Sequence, residues 1–270
     1  MNSKIGVAIT TAGTPAFVEL HLRMMLKLGY KDLVQPIIID DSDSDVVETL
    51  VKEIWPEAIF KKNSLPQSII DLKDTPESRK STGGISVRHC LGDLNGHWMA
   101  LDIARQQQLD YVVKFSRRGV PIGEWLSGLY RIINSTQWPT IGIWESHSRF
   151  PLRTECVAYS VAQWYDAKAT EAIRNQVESG NAVLVESYLF RLGRYVVEHI
   201  QKTDYRKQFY AHIDFANQMP VFAHWYLPGC SRIVKNPHYL WHMTHKPEEY
   251  LHVLKTIHPD STRIVKDFSV

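Results

Sequence analysis

Short apolar runs alternate with amphipathic segments along the first part of the chain. Residues 4–10 (KIGVAIT), 35–41 (QPIIIDD) and 58–62 (AIFKK) are rich in β-branched side chains and short enough to be buried strands. Between them, apolar residues at helical spacing predict helices over 15–28 and 46–54. The order strand, helix, strand, helix, strand predicts a parallel sheet with helical crossovers.

The residues at the helix starts fit this interpretation. Thr14 followed by Pro15 predicts an N-cap with proline at the first helical position. Asp45 with Glu48 three residues later predicts a capping box.

The same patterns continue beyond residue 62. We predict a loop over 63–83, helices over 95–108, 124–134, 161–179 and 185–202, strands over 111–115 and 140–146, and an irregular tail from about 219.

Composition adds few constraints. Apolar residues make up 44% and charged residues 22% of the chain, which argues against disorder. A net charge of +2 gives no support to a nucleic-acid partner, although it does not exclude one. Three widely separated cysteines favour free thiols in a reducing compartment, so we expect a cytoplasmic protein. No apolar stretch is long enough to predict a transmembrane segment.

Two carboxylates end the second predicted strand. In open α/β sheets, ligands bind beyond the carboxyl ends of the strands. Asp40 and Asp41 stand there and can accept hydrogen bonds from ribose hydroxyls or from the N–H of a base. Asp43 and Asp45 are expected to serve the turn and the helix cap instead.

Together, VAITTAGTPAFVELHLRMMLKLGY and IIIDDSDSD resemble the start of a GT-A glycosyltransferase of the large inverting family two. That family reads as a strand, a Thr-x-Asn-Arg-like loop, a helix and a strand ending in Asp-Asp-Gly-Ser-Thr-Asp. The resemblance implies that Thr10, Thr11 and Asp40, with Asp41 beside them, contact the base and ribose of a nucleotide-diphosphate-sugar donor. The loop TTAGTP lacks the usual Asn-Arg.

The resemblance also implies the architecture. We expect an α/β protein with a GT-A-like (Rossmann-like), mostly parallel central sheet flanked by helices and an irregular, aromatic-rich C-terminal segment. It would be a single domain, with a nucleotide-sugar-binding half over 1–118 and an acceptor-binding half over 119–270.

The segment YVVKFSRRGVP departs from the family. The family has an Asp-x-Asp motif here that holds Mn²⁺ or Mg²⁺, whereas this chain has Ser116, Arg117 and Arg118. Guanidinium groups can also neutralise a diphosphate. Our hypothesis is that one or both arginines replace the metal, with Ser116 donating a hydrogen bond, so that no cofactor is needed. The alternatives are a divalent metal, an arginine pair that is solvated or salt-bridged to Asp or Glu, and an inactive site.

The segment STGGISVRH, residues 81–89, resembles the phosphate-cradling loop of sugar nucleotidyltransferases. In those enzymes the loop follows the first strand, whereas here it lies far along the chain. Arg88 is nevertheless a candidate contact to the donor phosphates, because a Gly-Gly loop can offer backbone N–H groups.

Glu186 is the candidate general base. The family places a carboxylate pair at a helix start beyond the metal motif, and Glu186 lies seventy positions after Ser116. A carboxylate within reach can take the proton of an attacking hydroxyl. The alternative is a first-turn glutamate that merely stabilises the helix dipole. Glu155 and Asp166 are the fallback bases.

The tail FAHWYLPGCSRIVKNPHYLWHMTHK is rich in aromatic residues that could stack on sugar rings. His238, His242 and His245 have spacings found in zinc sites, but no supporting motif accompanies them. Packing over the sheet is the favoured role for this segment.

The implied function is transfer of a sugar, with inversion, from a nucleotide-diphosphate-sugar to a carbohydrate or other hydroxyl acceptor. The alternatives are a sugar-phosphate nucleotidyltransferase and a catalytically silent protein that binds a nucleotide-sugar.

Overall fold

The computed structural model describes residues 3–117, 119–121, 124–144, 152–202, 239–240 and 255. Within these ranges, the side chains at 143, 144, 152, 153, 155, 239 and 240 are not described. Arg118 lies outside the described residues, as does almost all of the aromatic-rich tail with its three spaced histidines.

The described strands are β1 (Ile5–Thr11), β2 (Val34–Asp40), β3 (Ile59–Lys62), β4 (Tyr111–Ser116), β5 (Val120–Pro121), β6 (Thr140–Trp144), β7 (Leu152–Ser160) and β8 (Tyr239–Leu240). The helices are α1 (Pro15–Lys27), α2 (Val46–Ile54), α3 (Gln67–Ile70), α4 (Pro76–Ser81), α5 (Val87–Gln106), α6 (Leu126–Thr136), α7 (Val161–Asp166), α8 (Ala169–Glu178) and α9 (Val185–Val196), the last continued by a π-helical turn, Val197–Gln201. Among the described helices, none combines the length and apolar character needed to cross a lipid bilayer.

A mixed, mostly parallel sheet forms the centre of the protein. Its six strands are ordered β3-β2-β1-β4-β7-β6. The first four are parallel, whereas β7 runs antiparallel to both β4 and β6. The prediction of a mostly parallel α/β sheet is therefore confirmed.

Both faces of the sheet are covered by helices. Successive side chains of a strand point to opposite faces, so a strand buried on both sides is apolar throughout. In β2, Ile38 packs into a core with α1, α2 and α6, whereas Ile37 and Ile39 pack into a second core with α5 and α7–α9. The near-continuous apolar runs of β1 and β2 follow from this double coverage.

Several local predictions need correction. Strand β7 was not predicted, and the predicted loop over 63–83 contains α3 and α4. The predicted helix over 161–179 is two helices, because Lys168 between them adopts a left-handed backbone with φ of 56°. Helix α5 begins at Val87, eight residues before the predicted start.

The predicted helix caps also differ from those observed. Pro15 does occupy the start of α1, but neither Thr14 nor Asp45 makes a side-chain capping hydrogen bond. The caps that do form are Thr75, in a capping box at α4, and Ser86, which accepts a hydrogen bond from the N–H of His89 at α5.

Helix α5 packs unusually closely on the end of β1. A Cβ atom added at Gly96 would lie 2.8 Å from Cγ2 of Thr10. Such a distance is well inside van der Waals contact, and the β-branched Thr10 side chain has little freedom to move aside. Glycine at position 96 therefore sets how near the helix lies to the sheet.

We expect Gly96→Ala to lower the free energy of unfolding by about 1–3 kcal/mol, because the added methyl group overpacks this contact. Gly92→Ala, one turn earlier, is the matched control, since its Cβ would meet nothing nearer than 3.5 Å. The control should be neutral, or stabilising by up to about 1 kcal/mol through helix propensity. Urea denaturation measures both variants. Equal stabilities would contradict the close-packing argument.

Candidate active site

The candidate site lies where the strand order changes direction. Strand β1 has β2 on one side and β4 on the other, so the chain departs from β1 in both directions. The register places Thr10 of β1 beside Ser116 of β4, and Thr11 beside Asp40 of β2. In open α/β sheets, a crevice for ligands forms beyond the carboxyl ends of the strands at such a point.

A cavity of about 470 Å³ occupies this crevice. Residues that the sequence singled out line it from four segments of the chain: Thr10, Thr11, Asp41, Ser116, Arg117 and Glu186. Five polar or charged residues that the sequence analysis missed line it as well: Asn63, His89, Asp93, Lys114 and Thr154. Asp40 and Arg88 are not among its lining residues.

Ser116 faces the α5 side of the sheet. Alternation along β4 puts Phe115 into the core with α1 and α6, so Lys114 and Ser116 point the other way, towards the cavity. The hydroxyl oxygen of Ser116 is buried and has no hydrogen-bond partner within the described part of the chain. Since such a group is costly to leave unpaired, it is suited to donate to a ligand.

Arg117 is anchored at the loop between β1 and α1. Its Nη1 lies 3.3 Å both from the carbonyl oxygen of Ala12 and from Oγ1 of Thr14. The Thr14 hydroxyl in turn lies 3.1 Å from that of Thr11. The guanidinium group is thus held at the edge of the cavity, next to the residues that end β1.

A histidine of α1 is hydrogen-bonded to the backbone carbonyl of Arg117. Nε2 of His21, on α1, lies 3.1 Å from the carbonyl oxygen of Arg117. Burial lowers the pKa of His21 to about 4, so the imidazole is neutral at physiological pH. A carbonyl oxygen only accepts hydrogen bonds, so the proton of this neutral ring must be on Nε2.

The two neighbouring aspartates have different surroundings. The carboxylate of Asp40 is fully buried and accepts hydrogen bonds from the N–H of Gly13 at 2.9 Å, Oγ of Ser42 at 2.7 Å and Nζ of Lys62 at 3.1 Å. Lys62 also donates to the carbonyl oxygens of Ser42 and Ser44. Asp40 therefore joins the loops after β1 and β2 to β3. Because its oxygens are hydrogen-bonded within the protein, the structure gives no support to its predicted contact with a ligand.

Asp41 faces the cavity instead. Its side chain makes no hydrogen bond to any described residue, and it is half-buried. Burial raises the pKa of Asp41, although Arg88 and His89 oppose this effect. An unpaired acceptor in a cavity fits a ligand with hydroxyl or N–H groups.

The Gly-Gly segment does not form an open phosphate cradle. Gly83 and Gly84 have positive φ and donate their N–H groups to carbonyl oxygens of α4. The first turn of α5 is also occupied, because Asp74 accepts from the N–H of Val87. Arg88 lies exposed in that first turn, close enough to Asp41 to lower its pKa. Its predicted phosphate contact stays a prediction.

Glu186 lies in the first turn of α9, as predicted, and faces the cavity. Burial raises the pKa of the Cys90 thiol to about 12, and the charges of Glu186 and Asp93 add to this effect. Both carboxylates therefore lie near Cys90, on the α5 side of the cavity. Asp166 ends α7 and does not line the cavity, and the side chain of Glu155 lies outside the described residues.

An ion pair forms the floor of the cavity. Nζ of Lys114 lies 2.6 Å from Oδ1 of Asp93. The sequence carried a signal for this pair that we did not use, namely a lysine within the otherwise apolar strand YVVKF. A buried lysine needs an acidic partner, but the partner comes from α5 and only the fold identifies it.

Possible metal ligands do not cluster in the described part of the chain. No group of three or more His, Cys, Asp and Glu side chains is close enough there to hold a metal ion.

Comparison with known proteins places the fold. Neither a protein-family model nor a curated protein sequence matches the chain. The solved structure of the galactosyltransferase LgtC, in complex with donor and acceptor sugar analogues, superposes with a TM-score of 0.51 and 10% identity over 97% of this chain and 98% of LgtC. The chain therefore has a GT-A fold, as the sequence resemblance implied.

Two further glycosyltransferase structures match less of the chain. Glucosyl-3-phosphoglycerate synthase from Mycobacterium tuberculosis matches at a TM-score of 0.37 and 14% identity, over 60% of this chain and 58% of that protein. Mannosyl-3-phosphoglycerate synthase from Rubrobacter xylanophilus matches at 0.40 and 9% identity, over 75% and 76%.

We expect Asp41→Asn to stabilise the protein without ligand at pH 7. Burial raises the pKa of Asp41 in the folded state, so the ionised carboxylate opposes folding above that pKa, and this penalty disappears as the pH falls through it. The gain should stay below about 1 kcal/mol, because the half-exposed group is screened by solvent.

Urea denaturation at pH 7 and near pH 3 tests this expectation. The difference between Asp41→Asn and the wild type should shrink at the lower pH. Asp32→Asn, at an exposed site remote from the cavity, is the control and should change neither value. A destabilised Asp41→Asn at pH 7 would mean that the carboxylate has a favourable partner.

Proposed function

We propose that this protein is a glycosyltransferase that moves a sugar from a nucleotide-diphosphate-sugar to a hydroxyl acceptor, with inversion. One observation carries the proposal. Residues far apart in sequence, chosen for this chemistry, line one cavity at the strand ends, including Thr11 of β1, Arg117 after β4 and Glu186 of α9. The likeness in fold to LgtC, a galactosyltransferase, is in keeping with it.

The nucleoside would bind at the ends of β1 and β2. Thr10 and Thr11 offer hydroxyl groups to this side of the cavity, and Asp41 offers a carboxylate without a hydrogen-bonding partner among the described residues. The base and the ribose present N–H and hydroxyl donors, which match these acceptors. In this proposal Asp41 takes the ligand-binding role first expected of Asp40, because the Asp40 oxygens are already hydrogen-bonded within the protein.

The diphosphate would lie against Arg117 and Ser116. A guanidinium group fixed by its own hydrogen bonds can stabilise charge developing on the leaving diphosphate without reorganising. Arg117 is fixed in this way at the β1–α1 loop, and the buried hydroxyl of Ser116 is available as a donor. We extend the same role to the adjacent Arg118. These groups would serve in place of Mn²⁺ or Mg²⁺.

Glu186 would remove the proton of the acceptor. As the acceptor oxygen attacks the anomeric carbon, its proton passes to the Glu186 carboxylate, and the bond from that carbon to the diphosphate oxygen breaks. In-line attack from the face opposite the leaving group inverts the configuration. The products are the glycosylated acceptor and a nucleoside diphosphate.

We expect at least one nucleotide-sugar to raise the melting temperature of the protein, by about 5 °C or more at a hundred times its Kd. A panel of UDP-glucose, UDP-galactose, UDP-N-acetylglucosamine, GDP-mannose and ADP-glucose, run in EDTA and then in Mn²⁺, measures this by thermal shift. Because arginine supplies the charge in this mechanism, the shift should be the same in EDTA. A shift that requires Mn²⁺ would contradict the arginine mechanism.

Two variants sharpen the screen. Arg117→Ala should weaken binding of the matching nucleoside diphosphate about tenfold or more, since it removes a charge-assisted contact. Arg131→Ala removes an exposed arginine on α6 and should bind as the wild type does.

Stabilisation without turnover of any donor would indicate a silent binding protein, and release of pyrophosphate would indicate a nucleotidyltransferase.

We expect Glu186→Gln to lower kcat by about 10²–10⁴-fold, because the amide cannot take the acceptor proton. Donor affinity should stay within about twofold of the wild type, since the acceptor and not the donor contacts this group. Steady-state kinetics with the donor found by the screen measures the effect. Glu171→Gln, on the exposed face of α8, is the matched control. Full activity of Glu186→Gln would rule out this base.

A further inference from the structure

A lysine is buried beneath the cavity. Lys114 is 1% exposed, and its Nζ lies 2.6 Å from Oδ1 of Asp93 on α5. A buried ammonium group is costly unless an anion lies beside it, and removing one partner of such a pair leaves an uncompensated charge. Asp93 is the one partner that the described residues give it, so this carboxylate is needed in its ionised form.

A buried histidine and a buried tyrosine lie beside this ion pair. His97 is fully buried one helical turn after Asp93; its Nδ1 lies 2.8 Å from the hydroxyl oxygen of Tyr159, and its Nε2 lies 3.9 Å from Oδ1 of Asp93. Burial, and next the Lys114 ammonium, lower the pKa of His97 to about 3, so the ring is neutral.

The hydrogen bond to Tyr159 fixes which ring nitrogen carries the proton. The Tyr159 hydroxyl is buried, and His97 Nδ1 is its one hydrogen-bond partner among the described residues, so the hydroxyl donates there and the ring proton is on Nε2. That N–H has no hydrogen-bond partner among the described residues, and Oδ1 of Asp93 lies 3.9 Å from Nε2.

Asp93 keeps one free oxygen towards the cavity. Its side chain is 26% exposed and lines the cavity, and Oδ2 makes no hydrogen bond to the described residues. Burial alone would raise the pKa of Asp93, but the charge of the Lys114 ammonium group outweighs this effect, and the pKa falls below its usual range. An ionised carboxylate carries a negative charge and has no proton to donate. It therefore repels a phosphate group but accepts hydrogen bonds from hydroxyl groups.

We propose that Asp93 recognises the transferred sugar by accepting hydrogen bonds from its hydroxyls, with Lys114 as its positioning residue. This inference rests on the proposed function. Asp93 and Glu186 line the same cavity, so the recognised sugar would share that cavity with the proposed general base. The nucleoside would lie at the strand ends, beside Asp41.

The test compares the donor with its own nucleoside diphosphate. Asp93→Asn should weaken binding of the nucleotide-sugar identified in the panel by about 10–100-fold, because a hydrogen bond to a charged acceptor is lost. Affinity for the nucleoside diphosphate, which has no sugar to recognise, should change by less than about twofold. Isothermal titration calorimetry measures both ligands on the full chain.

A deoxy donor identifies the contact. Donor analogues that lack single sugar hydroxyls should bind the wild type more weakly at one position, and Asp93→Asn should not distinguish that analogue from the parent donor. Asp102→Asn, on the same helix and away from the cavity, is the control and should retain the preference of the wild type.

The outcomes separate this inference from the proposed function. Equal losses for the donor and the nucleoside diphosphate would mean that Asp93 is structural, and no loss for either would mean that it does not touch the sugar. If no panel member binds the wild type, the proposed function and this inference fall together. Asp93→Asn leaves Lys114 unpaired and could fail to fold. In that case the double variant Asp93→Asn, Lys114→Met is compared with the single variant Lys114→Met. The double variant should bind the donor about 10–100-fold more weakly than the single variant and the nucleoside diphosphate within about twofold of it.

Discussion

The close packing of α5 on the carboxyl ends of the parallel strands is the constraint on which the site depends. Gly92 and Gly96, one turn apart, lack side chains where the helix passes Asp41 and Thr10. The next residue round the helix, Asp93, therefore reaches Lys114 of β4. A helix held farther away would leave the lysine without its partner and would widen the cavity. Backbone proximity thus sets the electrostatics of the site.

Neighbouring charged residues divide into structural and available groups. The Asp40 carboxylate is hydrogen-bonded within the protein and joins the loops at the strand ends, whereas the Asp41 carboxylate faces the cavity. The Lys114 ammonium group is paired with Oδ1 of Asp93, whereas Oδ2 of Asp93 makes no hydrogen bond to the described residues. Asp93 is held in place by the Lys114 ammonium group. Such support preorganises a site, because ligand binding then orders fewer side chains.

The sequence could predict what depends on local pattern. Apolar runs gave the parallel strands, and parallel strands end at one edge, so Thr10 and Ser116 could be expected side by side. Partner choice could not be predicted, because Lys62 binds Asp40 and not Asp41 through a contact between strands. Strand β7 was missed for a related reason: it joins the sheet antiparallel, without the crossover helix that marked the others.

The walls of the cavity differ in charge, and this difference would orient a donor. The Arg117 side chain is hydrogen-bonded to the β1–α1 loop, whereas Asp93 lies on α5 and Glu186 on α9. A nucleotide-sugar has the matching polarity, with an anionic diphosphate at one end of the transferred group and neutral hydroxyls at the other. In the proposed complex, the reversed pose would put phosphate against two carboxylates and is disfavoured by repulsion. In that pose the anomeric carbon would lie between Arg117 and the Glu186 carboxylate, as the proposed inversion requires.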